Sequence, residues 1–274
     1  MDRMPQSNIG SSSLLLAILL LMHSVLSAQL SDPDVLFEIP GEFESMRIDR
    51  LGQTYTIDAD GEIRLYTLDG KLRFEFSDPS WGPIGHLDVT NPLRILVYYP
   101  DFATIIVLDN TMTRLARYDL REMGFDRVMA VGTAGDGTIW IWDEANAQLV
   151  KVDERGQVLR RSDPVNLVLD DVIHPTELVQ RNKQVYVKDP AMGLLVFDQF
   201  GTYNFTIGDS NMDDFQALTD RVVWRENQDW FVYFFDSYLQ ERFPFPTENF
   251  KEFHFHRDRL YLLTPTGLQV RSYP

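Results

Sequence analysis

The sequence predicts an all-β fold, a six-bladed β-propeller of four-stranded blades, and three observations carry that prediction. Beyond residue 34 there is little helical periodicity; short alternating or wholly apolar runs are separated by Asp-Gly, Asp-Pro and Gly-rich turns. An apolar residue followed by Asp then recurs at Leu68-Asp69, Leu108-Asp109, Val152-Asp153, Phe197-Asp198 and Phe235-Asp236, at spacings of 40, 44, 45 and 38 residues. Self-similarity at that period is the signature of stacked four-strand blades, whereas a sandwich shows turn spacing without it. Finally, the last unit breaks off at Pro274 before its outer strand, and a strand-like segment at 35–40 has no unit of its own.

Each blade reads as strand a, turn, strand b, turn, strand c, Asp turn, strand d. The a segments are 46–49, 86–90, 128–131, 177–180, 215–218 and 253–256, and the b segments are 53–58, 94–99, 138–143, 184–189, 221–226 and 259–264. The c segments carry the Asp markers into turns such as Asp69-Gly70 and Asp109-Asn110, which suit tight hairpins. The fifth unit has a shortened b–c connection around residues 227–230. Residues 35–40 resemble 72–76, the fourth strand of the first blade, so they are expected to pair with 267–272 and close the ring. Closure hides the edge that an open sheet would expose.

With 274 residues, 44% hydrophobic and 12% aromatic, the chain can fill a core of this size. A formal charge of −16 works against nucleic acid, whose binders depend on basic contacts to phosphate. The absence of cysteine excludes disulfides, thiolate nucleophiles and cysteine-bound zinc. Residues 14–22 form an uninterrupted apolar run, too short for a membrane span, which needs roughly 20 residues. Small residues at 25–28 follow it, as in a cleavable leader. The expected organisation is a signal peptide at 1–28 and the propeller domain at 29–274, exported to the periplasm or the cell exterior, with no membrane span in the mature chain.

The repeat form resembles the six-bladed β-propellers of the NHL and TolB-like type, from Val35 to the C-terminus. That resemblance implies a fold used by binding scaffolds and also by calcium-dependent lactonases and other hydrolases. In such a ring the d–a and b–c loops share one face. Those loops carry more negative charge than the whole chain, while Arg94, Arg181, Lys183, Arg257 and Arg259 lie near the a–b turns opposite. On the acidic face Asp170, Asp171, Asp209, Asp213 and Asp214 cluster at the channel mouth, where hard carboxylate oxygens suit calcium. Residues 58–62 begin like a calcium loop but read as a hairpin turn. Trp81, on a loop stiffened by Pro79, Gly82 and Pro83, could stack on a sugar or clamp a peptide.

His254 and His256 lie two apart on an inner strand and so face the same side, with Phe253 and Phe255 turned into the blade packing. A catalytic zinc needs at least a third ligand, for which His86 and His174 are the available histidines. No Gly-x-Ser-x-Gly elbow points to a nucleophilic serine. The expected function is therefore a non-catalytic exported propeller that binds a protein or small ligand through its acidic loop face. The alternative is a calcium-dependent hydrolase or lactonase with its metal at that face.

Overall fold

The computed structural model describes residues 34–227, 229–243, 245 and 249–273. The leader expected at 1–28 lies outside them. Among the described residues, no helix is long and apolar enough to cross a membrane.

Strand β1 (Val35–Pro40) precedes the first blade, β2 (Ser45–Ile48), β3 (Thr54–Ile57), β4 (Ile63–Tyr66) and β5 (Leu72–Phe76). The second blade is β6 (His86–Asp88), β7 (Ile95–Tyr99), β8 (Thr104–Leu108) and β9 (Arg114–Asp119). The third is β10 (Val128–Thr133), β11 (Ile139–Asp143), β12 (Gln148–Val152) and β13 (Val158–Arg161), after which comes a one-turn helix α1 (Asn166–Leu169). The fourth is β14 (Glu177–Arg181), β15 (Gln184–Asp189), β16 (Gly193–Asp198) and β17 (Tyr203–Ile207). The fifth is β18 (Met212–Ala217), β19 (Arg221–Glu226), β20 (Asp229–Phe234) and β21 (Gln240–Phe243). Strands β22 (Glu252–His256), β23 (Arg259–Thr264) and β24 (Gly267–Ser272) complete the last blade by pairing β24 with β1. Every neighbouring pair within a blade is antiparallel, and Ile39 opposite Leu268 and Phe37 opposite Val270 set the closing register.

Burial follows position in the blade. The middle strands β7, β8 and β11 are buried along their whole length, while the outer strand β13 is exposed along its own. Apolar side chains of the middle strands pack on both sides against neighbouring blades, and this forms six clusters, one at each blade interface. The cluster between the last and first blades includes Ile39 and Phe37 of β1. Burying Ile39 there contributes about 1.5–3 kcal/mol. Between the fifth and sixth blades the core is aromatic: the Trp230 ring lies 4.3 Å from Phe245 and 4.5 Å from Phe253.

The Asp turns have one physical basis. Asp109, Asp153 and Asp198 each accept the backbone N–H groups two and four residues on, at 2.8–2.9 Å, which satisfies donors that the hairpin would otherwise leave free. In the first blade the equivalent residue is Thr67, whose Oγ accepts Lys71 N–H at 3.0 Å, so the structural repeat sits two residues before Asp69. The fifth blade turns differently, with Tyr238 in the left-handed region at φ 57. Residues 58–62 are the expected hairpin turn, in which Asp58 accepts the N–H groups of Asp60 and Glu62.

Candidate functional site

Inner strands begin at the face that carries the d–a and b–c loops and run toward the a–b turns. Their alternate side chains therefore enter the central channel at known depths. The channel holds about 450 Å³. At its loop-face end stand Arg47 of β2, His86 of β6, Glu177 of β14, Asp214 of β18 and Glu252 of β22. Deeper come Gln216 and His254, and at the far end Arg50, Arg181, His256 and Arg257. Strand β10 is apolar apart from Thr133, and its Gly132 packs so closely on β14 that a Cβ there would sit 2.6 Å from the Leu178 carbonyl oxygen.

Arg47 is the cation at the centre of the upper cluster. Its Nη1 donates to the Met46 carbonyl at 2.7 Å and reaches Glu252 Oε2 at 3.4 Å, and its Nη2 lies 3.8 Å from Glu177 Oε1. Burial disfavours the guanidinium charge, but Glu252 and Glu177 more than offset this and hold its pKa above the ordinary arginine value. Glu252 Oε2 also accepts Met46 N–H at 2.7 Å, which ties the last blade to the first. Even so, burial outweighs Arg47 and raises the Glu252 pKa.

Among the described residues, Asp214 has no such ion-pair partner. Its Oδ1 accepts Phe215 N–H and its Oδ2 accepts Phe253 N–H, both at 2.9 Å. Burial first, and then the nearby Glu252, push its pKa up to about 7. His86 is 7% exposed, and its Nε2 has no hydrogen-bond partner among the described residues. Burial and then Arg47 lower its pKa, so its ring is neutral. His254 approaches Gln216 Nε2 at 3.1 Å, and burial with His256 beside it lowers its pKa to about 3.

Of the six residues singled out in the sequence, Asp214 turns into the channel and the other five stay on the loop face. Asp213 pairs with Arg225 at 3.5 Å. Asp209 caps its own turn by accepting Asn211 N–H at 3.0 Å. Asp170 ends α1 in the left-handed conformation at φ 52, and Asp171 accepts Val172 N–H at 2.7 Å. Trp81 donates from Nε1 to Asp78 at 2.9 Å, stands edge-on to Phe102 at 5.8 Å and lies under the Arg117 guanidinium at 5.3 Å. Among the described residues, no group of three or more His, Asp or Glu side chains is arranged to hold a metal ion. His174 belongs to the loop face, 3.1 Å from Glu144.

Sequence reasoning passed over Arg47, Glu177 and Glu252. Alternation on the inner strands carries the signal, as in Glu252, His254 and His256, but it becomes readable only with β22 begun at Glu252 and β18 at Met212. A second feature has no sequence signal: Leu167, Val168 and Val172 are 79%, 57% and 65% exposed beside a cleft of about 430 Å³ lined by residues including Glu144, Ala147, Pro164 and Ile173.

No family model matches the chain, and no curated protein matches it. Solved structures do. The structure of streptogramin B lyase is 15% identical over 82% of this chain and 77% of that one, with a TM-score of 0.57. The Neurospora crassa Pan2 WD40 domain is 10% identical over 88% and 86%, with a TM-score of 0.60. The Myceliophteria thermophila Cps50 (Swd1) β-propeller domain is 11% identical over 88% and 100%, with a TM-score of 0.59. At such identities the likeness is one of fold alone, that of a β-propeller. A lyase and a WD40 domain share it, so function has to be argued from the site.

Proposed function

We propose that this chain is an exported, non-catalytic binding propeller that captures a protein segment bearing basic and apolar side chains on its loop face. Export is supported by the apolar run at 14–22 and the small residues at 25–28. The observation that carries the binding reading is the lip formed by α1 and the loop after it. A leucine 79% exposed, with two exposed valines next to it, is costly in water, and such patches with polar rims mark interaction sites. The rim here is anionic, because Asp163, Asp170 and Asp171 are exposed and make no ion pair among the described residues. A segment with apolar residues for the cleft and Lys or Arg for the rim meets both requirements.

An array of amphipathic peptides of graded positive charge, probed with the purified protein, tests the reading. Binding should rise with peptide charge and weaken in salt. It should fall about tenfold or more in a Leu167→Ser, Val172→Ser variant whose melting curve is unchanged. Equal binding by neutral and basic peptides, or by the variant, would show that the lip is not the docking surface.

A further inference from the structure

We infer that the loop-face end of the channel, ringed by Arg47, His86, Glu177, Asp214 and Glu252, is a binding site for a small primary ammonium compound. The cluster holds three carboxylates against one guanidinium, and that guanidinium is already shared between Glu252 at 3.4 Å and Glu177 at 3.8 Å. Among the described residues, Asp214 is met by two backbone N–H groups and forms an ion pair with no side-chain cation. Lys188, on the neighbouring blade, donates to the Asp213 carbonyl and acts on Asp214 only through space. Once Asp214 and Glu252 are ionised, the surplus charge in the ring is negative, and it lies in a wall where water screens it poorly.

His86 supplies an independent observation. It is more than nine-tenths buried, lines the same cavity, and leaves Nε2 unpartnered. A buried nitrogen without a partner costs free energy unless something fills that role. Because the ring is neutral, one of its tautomers offers Nε2 as an acceptor within the wall of the cavity that Asp214, Glu177 and Glu252 also line.

The chemistry of the ring selects among ligand classes. An anion would face three carboxylates, and a neutral hydroxyl compound would leave the surplus charge uncompensated. A bare metal ion wants ligands gathered on one point, an arrangement absent among the described residues. A primary ammonium brings three donors, no acceptor and one positive charge. A quaternary ammonium is disfavoured because it carries no N–H donor for these groups. The cavity, about 450 Å³, admits a small molecule, and Arg50, Arg181 and Arg257 at the far end would repel a second ammonium on the same ligand.

Calorimetric titration at about pH 8 with aminopentanol, compared with pentanediol, hydroxypentanoate and calcium chloride, tests the site; at that pH Asp214 is ionised and the amine is protonated. Saturable one-to-one binding of the amine is expected, with none by the diol or the anion. Asp214→Asn and Glu177→Gln should each weaken it about tenfold or more, as expected for a lost charge-assisted hydrogen bond. The Glu177 side chain makes no hydrogen bond to backbone among the described residues, so Glu177→Gln carries the test if Asp214→Asn fails to fold. The Leu167→Ser, Val172→Ser variant should bind the amine as wild type does, which separates this site from the lip. Absence of amine binding, equal affinity in the Glu177→Gln variant, or binding of calcium in place of the amine would each overturn the inference.

Discussion

Asp214 and His254 face the same channel, yet they pull the pH dependence of stability in opposite directions. The unfolded aspartate ionises near 3.8, whereas the folded one holds its proton up to about 7. Between those values the native state binds more protons, so this group lowers stability as pH rises through the window and leaves a constant deficit above it. His254 is depressed from 6.5 to about 3, so the unfolded state takes up a proton first as pH falls, and stability is lost on acidification across that interval. Denaturant unfolding of Asp214→Asn against wild type should therefore show a difference that moves in favour of the variant from about pH 4 to pH 7.5, by about 2–4 kcal/mol. The shift is the diagnostic quantity, because the amide also loses one of the two acceptors that hold Phe215 and Phe253. His254→Gln should instead flatten the acid limb below about pH 6.5. A pH-independent difference for either variant would show that the group titrates normally in the fold.

At the scale of the element, the ring depends on one strand brought from the start of the chain. Strand β1 covers the edge of β24, and its Ile39 carbonyl passes so close to Gly267 that a Cβ there would lie 2.3 Å away, at a backbone φ of 148. Gly267→Ala combines strain with a clash against backbone and should cost about 1–3 kcal/mol, with β1 as the part that gives way. A chain beginning at Gly41 should melt earlier and aggregate through the bare β24 edge, compared with one beginning at Gln29. Identical melting of the two would show that closure contributes nothing. This closure was legible because counting strands exposes a missing one, and the b and c strands were legible because burial on both sides makes them continuous apolar runs. The channel ring was not. Asp214 and Glu252 stand at the first turn-like positions before Phe215 and Phe253, so they read as loop acids until pairing with Arg225 and Leu263 extends β18 and β22 back over them. Which alternate residues meet across the centre depends on six strands from distant parts of the chain, and no local pattern contains that.

For the whole molecule, negative charge is concentrated on the loop face, but the acids there are of two kinds. Asp189 and Asp209 accept backbone N–H groups that shape their loops, and Asp143 and Asp213 pair with Arg161 and Arg225 at 3.5 Å. Replacing those removes structure along with charge. Asp170 and Asp171 are exposed on a loop without ion pairs among the described residues, and asparagine keeps the acceptor that Asp171 offers to Val172 N–H, so their replacement by Asn reports chiefly the field of the face. If that field is maintained for a basic partner, it is maintained against self-repulsion, which disfavours the compact state. The Asp170→Asn, Asp171→Asn variant should then melt slightly higher than wild type at low ionic strength, by a few tenths of a kcal/mol in unfolding free energy. The gain should shrink near physiological salt, where screening shortens from about 30 Å to about 8 Å. The same variant should bind basic amphipathic peptides more weakly, and the loss should shrink in salt in parallel. A variant that gains stability while keeping wild-type peptide affinity would assign these carboxylates to solubility alone.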